Sequence, residues 1–445
     1  MKKLLILLLF AQNLSAQKTD CWFSGSDYAW SGALQLNDSI RLGFLFQIVN
    51  KDGKTTIYVY NGPERITVNE TTRNGDSLIF KMPVFDSEFK CKWQSKYEKN
   101  DSLSGIWINH ARKAKNTIPF SAIRIHYKTV ASCPCKPFTG RWEASFSPGD
   151  SAKQTKALGI FKDPNCWDFI YGTFLTETGD YRFLSGSVYY DYKYVYLHDS
   201  LRPKGMSDFD WMDARKKLAR TDTTMELSCF DGAHAFYFKA KKNKDGTISG
   251  DFYSGSHWHE KWIAKRNDSF ELRHPDSLTY LRPGYDKIDF KFKNLQGKEV
   301  SLSDDKFKNK VVIVQIMGSW CPNCMDETKY LAEFYKKYKN KGVEVIALAF
   351  EKNSDYEKAR AAVEKLQKKF GVEYEILITE KVGKAEASDA LPMLNQVMAF
   401  PTTIYIDKKG KVRKIHTGFN GPGTGAYYDK WVEQNQLFIE KLLEE

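Results

Sequence analysis

At 445 residues the chain is long enough for two or three domains, because single cores rarely grow much beyond about 250 residues. With 42% hydrophobic and 27% charged residues it is not a disordered chain. The formal charge of +12 is spread in short runs such as Lys239 to Lys244, with no long basic tail and no nucleic-acid-binding motif, so a nucleic acid partner is not expected.

Met1-Lys2-Lys3 gives a basic start, Leu4 to Ala11 an apolar run, and Leu14-Ser15-Ala16 a small-residue cut before Gln17. The pattern reads as a signal peptide over residues 1–16. Its apolar run is far shorter than the roughly 20 residues that span a bilayer, and no later run is longer, so an exported, soluble protein is expected. All eight cysteines follow the leader: Cys21, Cys91, Cys133, Cys135, Cys166, Cys229, Cys321 and Cys324. In an oxidising compartment the first six are candidates for structural disulfides, and fifteen pairings are open to them. A bond between Cys133 and Cys135 would close a small strained ring, so separate partners are expected.

From about Tyr28 to Lys265 apolar and polar residues alternate in short runs broken by Gly, Asn and Asp. Ile57 to Tyr60, Ser187 to Tyr196 and Ala235 to Ala240 are strand-like, and Phe209 to Leu218 has room for a short helix. The region also echoes itself. Phe85-Asp86 leads to Ser104-Gly105, and Phe230-Asp231 leads to Ser249-Gly250, with nineteen positions from Asp to Gly in both. This predicts a duplicated antiparallel β-rich region, 20–130 and 137–268, each unit a small barrel or sandwich. Its aromatics either fill two cores or form a face for a hydrophobic ligand or partner. His257 and His259 would share one face of a strand as two metal ligands do, but no third ligand stands near them, and no metal is expected.

A polar stretch from Asn267 to Asp286 reads as a linker, and beyond it the pattern changes. Val311 to Met317 is a continuous apolar run, as in a strand buried on both faces. Gly318-Ser319-Trp320-Cys321-Pro322-Asn323-Cys324 follows, then a helical pattern through Leu331, Phe334, Tyr335 and Tyr338. Val343 to Phe350 is a second buried strand, Tyr356 to Phe370 a second amphipathic helix, and Thr402 to Asp407 with Lys411 to Thr417 a hairpin. The alternation predicts a mixed sheet with helices on its faces. Cys321 then falls at a helix mouth, where unpaired amides and the helix dipole favour a thiolate. Cys324 lies one turn further in, so the pair supplies an exposed nucleophile and a shielded resolving thiol. Pro322 fits the first turn because it has no N–H to leave unpaired.

Trp320-Cys321-Pro322-Asn323-Cys324, together with Phe400-Pro401-Thr402-Thr403 and Asp407 to Gly410, resembles the thioredoxin superfamily, specifically its exported TlpA/ResA-like branch. The resemblance covers 286–445 and implies a thioredoxin-like α/β domain acting as a periplasmic protein disulfide reductase through a mixed disulfide. It implies catalytic roles for Cys321, Cys324 and Glu327, the last as base for Cys324. It also places Trp320, Phe400 and a cis Pro401 against the substrate. Its partners would be a disulfide-bearing protein and a membrane or periplasmic thiol electron donor, with no organic cofactor.

Two positions depart from the pattern. Gln315 replaces the buried acid of thioredoxin itself, which removes that proton relay, and Thr328-Lys329 replaces a proline-bearing turn. Other readings of the pair fit less well. Half a zinc site lacks its second pair, and a peroxidase of the peroxiredoxin type wants Thr where Gly318 stands. The remaining alternative is a ligand- or partner-binding β module carried by a redox-inactive thioredoxin-like scaffold.

Overall fold

The computed structural model describes residues 28–83, 85–95, 101–126, 137–163, 169–179, 181–192, 202–212 and 220–445. The leader, Cys21, Cys133, Cys135 and Cys166 lie outside them. No helix among the described residues is long and apolar enough to cross a membrane.

The first sheet is built from β1 (Tyr28–Gln35), β2 (Arg41–Lys51), β3 (Lys54–Asn61), β4 (Glu64–Val68), β5 (Glu70–Asn74), β6 (Ser77–Lys81), β7 (Ser87–Ser95), β8 (Asp101–Asn109) and β9 (Thr117–His126). Each strand pairs with its neighbour in sequence except at the β4/β5 seam, and β1 pairs with β9. Period-two alternation decides which face is buried: on β2, Leu42, Phe44 and Phe46 point inward while Arg41 and Gly43 stay exposed.

A second set closes into a barrel: β10 (Gly140–Phe146), β11 (Thr155–Lys162), β12 (Phe169–Thr176), β13 (Leu184–Tyr192), β14 (Arg220–Phe230), β15 (Ala235–Lys242), β16 (Ile248–Ser254) and β17 (Trp258–Arg266). Trp142, Ala144 and Phe146 alternate into its core. Residues 208–212 are helical, and positions 213–218 of the expected short helix lie outside the described residues. Gly105 on β8 and Gly250 on β16 answer the same demand. A Cβ on either would sit 2.1 Å from a carbonyl of the adjacent strand, that of Lys90 or Lys239.

The third unit is a mixed sheet in the order β19 (Glu299–Ser301), β18 (Lys291–Asn294), β22 (Glu375–Ile378), β21 (Val343–Ala349), β20 (Val311–Met317), β23 (Thr402–Ile406), β24 (Val412–Thr417). Strands β20, β21 and β22 run parallel, and every residue of β20 is buried, as its unbroken apolar run predicts. Its helices are α1 (Pro322–Tyr338), α2 (Tyr356–Phe370), α3 (Gly383–Ala390) and α4 (Ala426–Glu444). Helix α2 starts where the Asp355 carboxylate accepts the Lys358 N–H and ends at left-handed Gly371. Helices α1 and α4 pack on β21 and β20.

The structure departs from the sequence-based expectation at two places. Cys91 and Cys229 are free, buried thiols in separate β cores, so neither forms a structural disulfide. Burial alone pushes Cys91 up to about 12. The stretch 267–286 is also not a loose linker. Leu278 and Thr279 are buried, Thr417 donates to Thr279 at 2.9 Å, and His416 pairs with Asp276 at 2.6 Å. Polar composition hid a segment tied to both neighbours: Arg141 of the barrel donates to the Phe270 carbonyl at 2.5 Å, and Asn395 of the redox unit donates to the Leu278 carbonyl at 3.2 Å. The three units are also joined by side chains. Phe230, at the end of β14, stacks on Phe44 at 4.9 Å inside the first sheet's core, and Phe85 packs against the redox core.

Candidate functional site

Val311 to Met317 delivers Gly318-Ser319-Trp320 to the end of β20, and α1 begins at Pro322 with Cys321 as its N-cap. The Cys321 sulfur accepts the Cys324 N–H at 3.3 Å and, as a thiol, donates to the Phe400 carbonyl at 3.4 Å. The peptide bond from Phe400 to Pro401 is cis. Both thiols are free. Cys321 is only 7% exposed, so the sequence-based picture of an open nucleophile needs correcting. Its sulfur lies against the Phe400 carbonyl, and the residue lines a cleft of about 850 Å³ that all three units wall.

Cys324 has no exposed surface, and burial pushes its thiol well above the ordinary value, with the Cys321 hydrogen bond and charge adding to the shift. The two sulfurs therefore differ in environment, one at a helix mouth and one in the core.

Glu327 is fully buried, not the surface carboxylate that the first turns of a helix would usually carry. Its oxygens accept from the Thr403 hydroxyl at 2.6 Å and the Gln315 amide at 2.8 Å. Gln315 in turn accepts from Thr328 at 3.2 Å. Desolvation outweighs both hydrogen bonds and pushes Glu327 up to about 7. The acid that β20 lacks is thus supplied from α1, with Gln315 holding it.

Trp320 donates to the Phe350 carbonyl at 3.0 Å and meets Phe400 edge-on at 5.8 Å. Glu351, which sequence reasoning missed, accepts from the Ser319 N–H at 2.7 Å and hydroxyl at 2.8 Å and so fixes the loop before the cysteines. No motif marks it; only the fold brings residue 351 to residue 319. The β barrel reaches the site as well. Asn323, between the two cysteines, donates to the Gly179 carbonyl at 2.8 Å, and Tyr181 donates to Asp326. Beside them Arg182 pairs with Asp231 at 3.1 Å, and burial pushes neighbouring Glu64 up to about 7. Among the described residues no three His, Cys, Asp or Glu side chains group to hold a metal; His259 pairs with Asp251 at 2.7 Å.

A helix-capping cysteine, a partner one turn in and a cis proline across from them define the redox centre of a thioredoxin-fold protein. The redoxin family model matches residues 286–430. The thiol-disulfide oxidoreductase ResA of Bacillus subtilis is 32% identical over 138 residues, 31% of this chain and 69% of that protein. ResA of Geobacillus thermodenitrificans is 34% identical over 140 residues, 32% of this chain and 72% of that one. A solved secreted thiol-disulfide isomerase from Corynebacterium glutamicum is 21% identical, with 40% of this chain and 99% of that one covered and a TM-score of 0.29. Through its C-terminal third the chain belongs to the ResA-like thiol–disulfide oxidoreductases of the thioredoxin superfamily. The β units lie outside the residues matched by the family model.

Proposed function

We propose that the chain is an exported, periplasmic reductase of protein disulfides whose two β units are repeats of one another and wall the substrate site. The observation that carries the redox reading is the placement of Cys321 as N-cap of α1, with Cys324 and Glu327 buried behind it. The Cys321 thiolate attacks one sulfur of the substrate disulfide, forming a mixed disulfide and expelling the other sulfur as a thiolate. Glu327 takes the proton of Cys324, and the Cys324 thiolate attacks the Cys321 sulfur. The second substrate thiol leaves, the protein keeps the Cys321–Cys324 disulfide, and two electrons have passed to the substrate. A membrane or periplasmic thiol donor then restores the dithiol. Trp320, Phe400 and Pro401 form the wall against which the substrate backbone docks. A repeat origin for the β units is supported by the matched Phe-Asp and Gly spacing and by its place in each unit, with both glycines on the second strand of a hairpin, β7–β8 and β15–β16.

Turnover of a model protein disulfide with dithiothreitol tests the activity, and the Cys321→Ser protein should show none. A measured reduction potential tests the direction. A value near or below about −250 mV fits a reductase, and one near about −120 mV means an oxidant and rejects this reading.

A further inference from the structure

The cleft over Cys321 holds more positive charge than the disulfide chemistry uses. Arg112, from the β8–β9 loop, faces Lys352, from the loop after β21, while Lys358, Lys365 and Lys384 line the same cleft from α2 and α3. The lining carboxylates are Asp86 and Glu351, and Glu351 is engaged by Ser319. None of the five cations forms an ion pair with a carboxylate among the described residues, whereas Arg182 beside them is paired with Asp231. Arg112 instead donates to the ring of His257, and Lys352 lies 5.3 Å over the ring of Trp320, next to the nucleophile. Burial first, and then the charge of Arg112, lowers both Lys352 and His257 from their ordinary values. Two units of the protein therefore face each other with like charge across the place where the substrate must lie. An anion between them would remove that repulsion.

We propose that this basic wall binds carboxylates flanking the substrate's disulfide, so that the protein acts on cystines set in acidic peptide segments. The cations come from several elements around one open cleft, a spread that suits an extended peptide. The proposal rests on the redox reading above and names its substrate class.

The test compares the full chain on two cystine peptides that differ only in flanking Glu or flanking Lys, with neutral hydroxyethyl disulfide as a third substrate. The Glu peptide should be reduced with a kcat/KM about tenfold higher at low salt, and the gap should narrow as salt screens it. Arg112→Gln should cut the preference about threefold, mainly through KM, and Arg112→Lys should restore most of it. Lys365→Gln, at an exposed helix position, should act in the same direction. Equal rates on both peptides, with hydroxyethyl disulfide still reduced, overturn the proposal and leave the redox reading standing. No reduction of any of the three overturns both.

Discussion

Burial, outweighing the two hydrogen bonds that lower it, pushes the Glu327 carboxyl up to about 7 from the ordinary 4.5, within reach of neutral pH. Glu327→Gln should therefore slow resolution of the mixed disulfide more than its formation, and stopped-flow traces of the two phases would show it; equal slowing would reject the role. Stability carries the opposite sign. A carboxyl whose folded pKa is raised favours the native state below about pH 4.5, and that benefit is lost as pH rises through about 7. Glu327→Gln should thus be more stable than the parent at pH 8, by up to about 3 kcal/mol, and nearly equal to it at pH 4. Urea melts at the two pH values check this, and a destabilised variant at pH 8 would contradict it. Resemblance to the TlpA/ResA-like branch marked Glu327 as a candidate base, but the sequence could not tell a buried acid from a surface one.

At the scale of elements, the redox strands and helices were legible because burial on both faces leaves unbroken apolar runs and helices leave a 3.6-residue stripe. Val311 to Met317 and Tyr356 to Phe370 lie where those patterns put them. The docked segment 274–282 was not legible, since its hydrogen bonds reach residues more than a hundred positions away and only Leu278 and Leu281 among its side chains are apolar and packed. The same holds for the clamp on α1, where the Asn323 amide meets Gly179 of the barrel. Asn323→Ala leaves the Gly179 carbonyl short of a donor and should cost about 1–3 kcal/mol. It should also raise amide exchange at both the first turn of α1 and residues 177–179. Faster exchange in α1 alone would mean that the barrel does not hold the helix.

At the scale of the whole molecule, the echo of Phe-Asp and Gly hinted at two related β units but gave no sign that they are fused. Phe230 belongs to a barrel strand yet fills the first sheet's core, and Asn61 exchanges two hydrogen bonds of 2.9 Å with its backbone. Phe230→Ala should cost about 3–5 kcal/mol and loosen both β units together, read as protease sensitivity in each. Limited proteolysis of the intact chain should leave 274–286 uncut, contrary to what its composition suggests. The central claim is that Cys321 is the attacking sulfur of a working redox pair. Its most direct test is mass spectrometry of Cys324→Ser protein exposed to a cystine peptide. The account predicts one peptide adduct, on Cys321, released by dithiothreitol; no adduct, or an adduct confined to another cysteine, would contradict it.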